Sequence, residues 1–580
     1  MRVAKRFLAL LLVCLLALTT LAGCGGTNSE TASDNQQQTE QTAESSGPVE
    51  ETPQTQEEET QPQEAAPVEG EPDADSYINC ILNGEPSTLD VAKFMQVYDR
   101  GVLQNILEPL TRIQDGVVVG AGAESWNVSD DGLTYTFTLR ENCWSDGQTV
   151  TAGDYLYAIQ READPSNAWP LASDLYSIAS FEEIFSGEAD LSELGVEAPD
   201  DKTLVITLDT PDSGFLSSVD IFPCRQDYVE QYGDTYGTDA DKVIGCGPFN
   251  LTDWVHSSSL SFEKNAQYWD ADSVKLSHFT FYIMDDMNAR MSSFENGSLD
   301  YVNISNSEYI QKFSGDSSLV SKQVSAARTF MVVFNCEDAV FSNAKIRLAF
   351  SLALDRATLA EIITGGTAVP ATGLVPPECS VGAYNFRAEA GDLIGNLQAA
   401  NPDLQTLLLE GMEEAGLGDD PSALTVKLAW GATTADARTY SELIQQMWEQ
   451  TLGVYVELEF NDSATHMSNI NSGDYQCATT AWGANSEPWF QLSRWANAKG
   501  GQSRWADSEY TELVSAAVAT QDEAERLELY RQAEEMLVSE AAMSPVYWTG
   551  SIRFSYGYVQ NFSDNVFDTT GMKYLYTSGR

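Results

Sequence analysis

Residues 424–460 read LTVKLAWGATTADARTYSELIQQMWEQTLGVYVELEF, and this stretch decides the fold class. Apolar residues alternate from Leu424 to Trp430 and again from Val454 to Phe460, which predicts two half-buried strands. Between them, apolar residues recur at helical spacing from Ala437 to Leu452, and the helix is expected to end at Gly453. Strand, helix and strand in this order are typical of a right-handed parallel βαβ unit. The stretch therefore predicts an α/β fold.

The residues that follow extend the same layer. A short helix is predicted from Ser463 to Gly473 and a third strand from Tyr475 to Trp482. Sheets of this kind bind ligands in the crevice beyond the carboxyl ends of their strands. Trp430 and the run after Ala481 fall at such ends, so we expect a ligand site there.

The same periodicities predict elements in the rest of the chain. Two alternating strands make the middle section a small sheet-rich unit, and amphipathic stripes predict several further helices. The strands are 133–139 and 203–208, and the helices are 287–294, a single helix over 346–363, and 527–537.

The N-terminus carries a targeting pattern. Three basic residues precede an apolar run over 7–18, which predicts an export signal peptide over 1–23. Leu21-Ala22-Gly23-Cys24 resembles the bacterial lipoprotein box, in which the cysteine thiol receives a diacylglycerol. Acyl chains on Cys24 would hold the protein on the cell membrane, facing outside. Residues 24–75 contain no aromatic residue, so we expect a disordered acidic tether after the lipidated cysteine.

The charge of the chain excludes several partners. It carries 31 basic and 87 acidic residues, for a net charge of −56. Such a field repels phosphate backbones and anionic lipid headgroups, which argues against nucleic acid and against an electrostatic membrane contact.

Cysteines and histidines do not indicate a metal site. Seven cysteines follow Cys24 without a CxxC, and the three histidines are scattered. We therefore expect no metal and no cofactor. A disulfide between Cys336 and Cys477 stays open, because each lies near a predicted strand.

Catalytic motifs are missing from the sequence. It contains no GxSxG, no P-loop, no SxxK followed by KTG, and no GxGxxG after a strand. Aromatic residues are instead dense near the predicted crevice, where Trp482 and Trp489 stand close together. Apolar walls with a few polar groups make a small-molecule or peptide cleft. The sequence therefore predicts a binding protein rather than an enzyme.

Motifs in a fixed order identify a family. They are AESW at 123–126, DGLTYTF at 131–137, WSDGQTVTAGD at 144–154, GCGPF at 245–249, KNAQYW at 264–269, KIR at 345–347 and ALDR at 353–356. Together they closely resemble the bacterial extracellular solute-binding proteins of the peptide/nickel ABC-importer type, the oligopeptide- or dipeptide-binding lipoproteins. The last two motifs look like that family's helix pair.

The resemblance implies a two-lobed periplasmic-binding-protein-like α/β fold with an additional sheet-rich domain. Its lobes close around an oligopeptide or dipeptide and deliver it to the permease subunits of an ABC transporter, and the protein is expected to be a monomer. By this resemblance, lobe I comprises 76–110, 236–325 and 546–580, the extra domain II comprises 111–235, and lobe III comprises 326–545.

One cleft segment departs from the family pattern. Relatives have Trp-x-Ala-Asp-Tyr-x-Asp/Glu-Pro, whose aspartate pairs with the peptide's N-terminal amine, whereas residues 482–489 read WGANSEPW. Asn485 therefore stands in place of the acid, and a neutral amide offers a weaker bond to an ammonium. Either Glu487 takes over the amine, or the ligand is not a free-amine peptide.

The expected ligand-facing residues are Trp482, Asn485, Glu487 and Trp489, followed by Trp430 and Arg438. Arg438 is the best nearby cation for a ligand carboxylate. Two alternatives remain: the same fold binding an oligosaccharide or a metal chelate, and a surface sensor or enzyme on this scaffold.

Overall fold

The computed structural model describes residues 70–218, 220–496 and 501–580, without the side chain of Ser218. The predicted signal over 1–23, Cys24 and the tether as far as residue 69 lie outside the described residues.

Two four-stranded sheets account for most strands before residue 284. One has the order β1-β10-β9-β8, in which β1 and β10 run parallel, and the other is antiparallel with the order β4-β5-β7-β6. The predicted strands over 133–139 and 203–208 are confirmed as the neighbours β5 and β7. In chain order the elements are β1 (Tyr77–Leu82), α1 (Val97–Ile106), β2 (Thr111–Gln114), β3 (Val117–Gly120), β4 (Ala123–Val128), β5 (Thr134–Leu139), α2 (Ala152–Ala163), α3 (Phe181–Phe185), β6 (Val196–Asp200), β7 (Thr203–Thr207), α4 (Phe215–Ser218), α5 (Gln226–Tyr232), β8 (Phe249–Val255), β9 (Ser259–Lys264) and β10 (His278–Ile283).

These two sheets share one apolar core. It runs from Ile78 to Phe281 and includes Val559, Met572 and Leu575 near the C-terminus. We call the residues around this core the first body. Two helices then flank the first strand of a larger sheet: α6 (Met287–Glu295), the strand β11 (Tyr301–Ile304) and α7 (Ser307–Ser314).

A seven-stranded sheet organises the rest of the chain. Its order is β11-β19-β12-β18-β16-β17, with β13 paired to β19. Two further apolar cores pack around it, and we call the residues around these cores the second body. The elements of the rest of the chain are β12 (Leu319–Phe334), α8 (Ala344–Leu352), α9 (Arg356–Thr364), β13 (Val369–Pro370), β14 (Ser380–Val381), β15 (Tyr384–Asn385), α10 (Phe386–Ala390), α11 (Leu393–Ala400), α12 (Leu404–Glu414), β16 (Thr425–Trp430), α13 (Ala435–Leu452), β17 (Tyr455–Phe460), α14 (Ser463–Ser472), β18 (Cys477–Gly483), α15 (Trp489–Leu492), α16 (Ser508–Ala519), α17 (Glu523–Ser539), β19 (Met543–Tyr556), β20 (Val559–Gln560) and β21 (Tyr576–Thr577). The last two pair with each other and belong to the first body, whose core includes Val559.

The predicted strand–helix–strand–helix–strand layer is confirmed. Strand β16 pairs in parallel with β17, from Thr425 opposite Tyr455 to Trp430 opposite Phe460, and in parallel with β18 on its other side. Helix α13 ends at Gly453, which adopts the left-handed conformation with φ 75° that glycine tolerates. The carboxyl ends of β16 and β18 therefore lie at the same edge of the sheet.

The prediction of one helix over 346–363 is wrong, because the segment forms the two helices α8 and α9. Helix α8 ends at Leu352, and Asp355 begins α9 by accepting a hydrogen bond from the backbone N–H of Thr358. A side chain that caps a new helix competes with continuation of the old one. The helix pair implied by the family resemblance describes this segment correctly.

Two long strands connect the first and second bodies. Strand β12 pairs with β19 from Leu319 opposite Tyr556 to Ser325 opposite Gly550, and the register then shifts before Thr329 opposite Trp548. Ala327, inside this bulge, has φ 43°, in the left-handed region that a residue with a Cβ rarely adopts. A bulge bends a strand and increases its twist. We call the part of β12 and β19 around this bulge the crossover, since the two strands change direction there between the bodies.

The GCGPF motif holds the end of α1 in place. The backbone N–H groups of Cys246 and Gly247 both donate to the carbonyl of Ile106, at 2.9 Å. A Cβ on Gly247 would lie 2.7 Å from backbone atoms of Ile106 and Leu107, so a side chain is excluded here. The motif thereby fixes the chain that leads into β2.

All seven cysteines in the described residues, Cys336 and Cys477 among them, are free thiols. The described ranges contain no group of three His, Cys, Asp or Glu side chains that could hold a metal ion. None of the helices described for this chain is long and apolar enough to span a bilayer.

Candidate functional site

A cavity of about 260 Å³ opens where the first body meets the loop after β18. Its walls come from α1 and β2, from α4 and Asp220 after it, from the loop itself, and from the stretch between β20 and β21. Ligand pockets usually measure roughly 300–1,000 Å³, so this cavity suits one end of a ligand rather than a large molecule. The lining residues are 100, 104, 111–113, 216, 217, 220, 484–486 and 566–569.

A larger cavity of about 490 Å³ lies beside Arg356. All of its walls come from residues 352–451 of the second body, and none of the residues expected from the sequence to face a ligand lines it. The smaller cavity joins the two bodies and includes Asn485, so we take it as the candidate site.

Backbone hydrogen bonds fix the loop that carries Asn485. The N–H of Ala484 donates to the carbonyl of Ala327, at 2.8 Å, which attaches the loop to the bulge of β12. The carbonyl of Asn485 accepts from the thiol of Cys379 at 3.1 Å, and that of Ser486 accepts from the N–H of Ser380 at 2.8 Å. The loop is thus held in position beside the crossover between the bodies.

Arg112 contributes a buried cation to the opposite wall. Its guanidinium donates to Glu108, which is fully buried and also accepts from the Trp269 indole N–H at 2.7 Å and the Tyr268 hydroxyl at 3.0 Å. Burial lowers the pKa of Arg112, but the Glu108 carboxylate outweighs this and holds it above its usual value. Arg112 therefore stays charged.

The other charged side chains of the lining already have hydrogen-bond or ion-pair partners. Nε of Arg100 lies 3.3 Å from the carboxylate of Asp220, which also accepts from the Gln104 amide at 3.4 Å. Asp568 accepts from the backbone N–H of Gly116 at 3.2 Å and from the hydroxyl of Ser563. Both carboxylates of the lining are thus engaged.

Glu487 lies apart from the cavity, in the contact between the bodies. Its carboxylate is 3.3 Å from the guanidinium of Arg526, and its side chain is 13% exposed. Burial raises the pKa of Glu487 to about 7, since the attraction of Arg526 is opposed by Asp212 and Glu523. In this conformation Glu487 is engaged with Arg526, so the expected contact with a ligand amine would require that pair to open.

The two tryptophans of the segment are placed differently from Asn485. Trp482 donates through its indole N–H to Gln502 at 3.2 Å, and the guanidinium of Arg494 lies 4.1 Å from the centre of its ring. Trp489 packs against the second-body core, with its ring 6.3 Å from that of Phe490. Neither ring lines the cavity.

Trp430 and Arg438 lie at the carboxyl end of β16, away from the cavity lining. Trp430 is 8% exposed, and its ring centre is 5.8 Å from that of Phe330. Arg438 stacks over Phe460 at 4.5 Å. The structure thus brings Asn485 alone among the six expected residues into the lining, together with Arg112 and Ser486, which sequence reasoning missed.

No local signal in the sequence singles out Arg112. Glu108 lies four residues before it, but this spacing predicts a pair only on a helix, and Pro109 stands between them. Nothing in the sequence joins residue 112 to residues 484–486 either.

The family comparison matches most of the described chain. Residues 117–503 match the model of the "Bacterial extracellular solute-binding proteins, family 5 Middle". The dipeptide-binding protein DppE of Bacillus subtilis (strain 168) is 32% identical over 488 residues, covering 82% of this chain and 87% of DppE.

Solved structures of similar proteins cover nearly the same length. The unliganded open form of the murein tripeptide-binding protein MppA has a TM-score of 0.75 and 25% identity, covering 87% of this chain and 98% of that one. Listeria monocytogenes OppA bound to peptide has a TM-score of 0.63 and 26% identity, covering 88% of this chain and 100% of that one.

Proposed function

Because the chain belongs to the bacterial extracellular solute-binding proteins of family 5, we propose that it captures peptides between two closing lobes and delivers them to the permease of an ABC importer. Members of this family are binding proteins rather than enzymes. Its expected fold class, an α/β two-lobed periplasmic-binding-protein-like fold, is confirmed by the match to solved structures.

The proposed lobes follow the division expected from the sequence. Lobe I would comprise 76–110, 236–325 and 546–580, domain II 111–235, and lobe III 326–545. Support comes from the separate apolar cores of the first and second bodies and from the register shift after Ser325 in β12. Two rigid bodies joined by two strands are suited to hinge closure.

The cavity at the junction of the two bodies is the observation that most supports the proposed function. It combines walls from both bodies, and its Asn485 loop is bonded to the crossover strand through Ala484 and Ala327. A ligand end held there would contact both bodies, so its binding energy would favour the closed arrangement. An extended peptide could then pair its backbone with cleft edges, which tolerates different side chains.

The comparisons favour an open state for this structure. The TM-score is 0.75 with an unliganded open form and 0.63 with a peptide-bound relative. We infer that closure on a ligand brings the segment 482–489 nearer to the first body. Trp482, Glu487, Trp489, Trp430 and Arg438 remain proposed ligand contacts of that closed state.

Native mass spectrometry of protein purified without denaturation tests the peptide proposal. We expect a ladder of bound masses that sequence as peptides and leave on mild unfolding. A single carbohydrate or chelate mass would instead favour the non-peptide alternative, and turnover of a bound compound would contradict a pure binding role.

Membrane anchoring through Cys24 forms a separate part of the proposal. It rests on the lipoprotein-like sequence over 21–24. Expressed in a bacterial host, the protein should partition into the detergent phase of Triton X-114, and Cys24→Ala should move it to the aqueous phase. Cys14→Ala, inside the signal, is the matched control and should partition as the wild type does. Equal partitioning of all three would contradict the anchor.

A further inference from the structure

Two residues of the cavity lining, one from each body, carry a buried polar atom that has no hydrogen-bond partner among the described residues. These atoms are the second terminal nitrogen of Arg112, a residue that is 4% exposed, and the hydroxyl of Ser486, which is 5% exposed. Both residues line the cavity. Buried polar groups in folded proteins nearly always have a partner, so two unpartnered groups on residues that line one cavity point to a missing partner.

The unpartnered nitrogen of Arg112 is a charged donor. Its other terminal nitrogen donates to Glu108, whose oxygens are shared with the Tyr268 hydroxyl and the Trp269 indole. Glu108 therefore balances the charge of Arg112 without occupying all of its donors. The N–H groups of the unpartnered nitrogen can bind an acceptor, and an ionised acceptor gives the stronger bond.

The other wall of the cavity also suits an acceptor. Ser486 offers a hydroxyl and Asn485 an amide, and neither carries a negative charge. The carboxylate of Asp220 is paired with Arg100, whereas that of Asp568 keeps its charge and accepts hydrogen bonds from Gly116 and Ser563. An ammonium in this cavity would meet the cation of Arg112, whereas a carboxylate would meet donors from both bodies.

We propose that the cavity binds a carboxylate of the peptide ligand, held between Arg112 on the first body and the Ser486 and Asn485 side chains on the second. The inference rests on the proposed peptide-binding function, and it assigns the charge of the ligand group that the site binds. A ligand bound in this way needs no free N-terminal amine. Its carboxylate also contacts both bodies at once, so closure of the bodies requires a ligand that carries this group.

A tripeptide library built from Ala, Leu, Phe and Gln tests the assignment on the full-length protein. The library is offered in four forms: free, N-acetylated, C-amidated, and C-amidated with one Glu. Retained masses are read by native mass spectrometry. The free and N-acetylated forms should be retained alike, and amidation should reduce retention at least about tenfold, the size of one lost charge-assisted bond.

The outcomes distinguish a failure of the carboxylate site from a failure of the proposed peptide-binding function. Retention of the amidated Glu form would support the carboxylate site with an acidic side chain as its source. Equal retention of free and amidated peptides would overturn the site while leaving peptide binding intact, as would loss of binding on N-acetylation. Retention of no form at all would overturn both the site and the proposed function.

Ser486→Ala provides a variant that should fold. Removing a buried hydroxyl that has no partner leaves the melting temperature of the ligand-free protein unchanged or higher. The same change should weaken binding of the free peptides several-fold. Unchanged affinity in this folded variant would overturn the role of Ser486 as a ligand donor.

Asn485→Asp should reverse the preference of the cavity. The added carboxylate repels a ligand carboxylate and attracts an ammonium, so retention of N-acetylated peptides should fall at least about tenfold. Asn396→Asp adds the same charge at an exposed position of α11 and serves as the matched control. Equal retention profiles in the two variants would contradict the assignment.

Discussion

The carboxylate of Glu487 lies 3.3 Å from the guanidinium of Arg526, in a buried contact that also brings Asp212 of the first body close to the second. One cation, Arg526, is opposed there by three carboxylates, those of Glu487, Asp212 and Glu523. The second oxygen of Glu487, Nε of Arg526 and the Tyr530 hydroxyl have no hydrogen-bond partner within the described residues. The contact between the bodies is thus polar, and some of its hydrogen-bonding atoms have no partner. Its strength should therefore depend on whether Glu487 is protonated.

Glu487 should make stability fall as pH rises from about 4.5 to about 7. Burial raises its pKa from 4.5 to about 7, so across this range the folded chain binds a proton that the unfolded chain has released. Stability is therefore lost on going from acid to neutral pH, by about 3 kcal/mol at most at 1.36 kcal/mol per pKa unit. Urea unfolding of the wild type and of Glu487→Gln, at pH 4.5 and at pH 8, measures this change in the free energy of unfolding.

The test compares the free energy of unfolding of Glu487→Gln with that of the wild type at each pH. Gln cannot titrate, so the stability of Glu487→Gln relative to the wild type should rise between pH 4.5 and pH 8. Glu528→Gln changes an exposed carboxylate on α17 and is the control, for which the difference should stay constant. A constant difference for Glu487→Gln as well would contradict the raised pKa.

Glu108→Gln should destabilise the first body strongly. It removes the negative partner of buried Arg112 while the hydrogen bonds to Trp269 and Tyr268 can persist. Breaking a buried pair from one side typically costs about 3–5 kcal/mol. Glu141→Gln, whose carboxylate is 88% exposed and pairs with Lys202 at 3.2 Å, is the control and should leave urea unfolding unchanged. Equal midpoints for the two variants would contradict a buried charge network.

Gly550→Ala should disturb the crossover between the bodies. A Cβ there would lie 2.4 Å from the carbonyl oxygen of Thr367 and 3.0 Å from that of Val324. Backbone atoms cannot give way as a flexible side chain can, so we expect a loss of about 1–3 kcal/mol and weaker ligand-induced closure. Gly557→Ala, at a position with open space around its Cβ, should melt as the wild type does. A wild-type melting temperature for Gly550→Ala would contradict the tight packing.

Local signals explain what the sequence could predict of the fold. Alternation in 424–430 and 454–460 predicts β16 and β17 because strands half-buried in a sheet repeat every two residues. The break between α8 and α9 was missed because helical spacing continues through it, although Asp355, which caps Thr358, is a recognisable start signal. Periodicity therefore locates elements better than it locates their interruptions.

The site was less accessible to sequence reasoning. Asn485 could be singled out as a departure within a motif, but Arg112 and Ser486 meet across the cavity only after the chain has folded. Glu487 follows Ser486 directly, yet its side chain turns to Arg526 rather than to the cavity. Which neighbour faces a ligand depends on the contact between bodies, which no local pattern encodes.

Closure of two bodies around an unaltered peptide is the central claim, and small-angle X-ray scattering tests it most directly. Scattering is recorded from the ligand-free protein and after saturation with peptides recovered from it, and the peptide masses are measured before and after. We predict a smaller radius of gyration with ligand and unchanged peptide masses. Superimposable scattering curves with and without bound peptide, or peptides recovered with altered masses, would contradict the account.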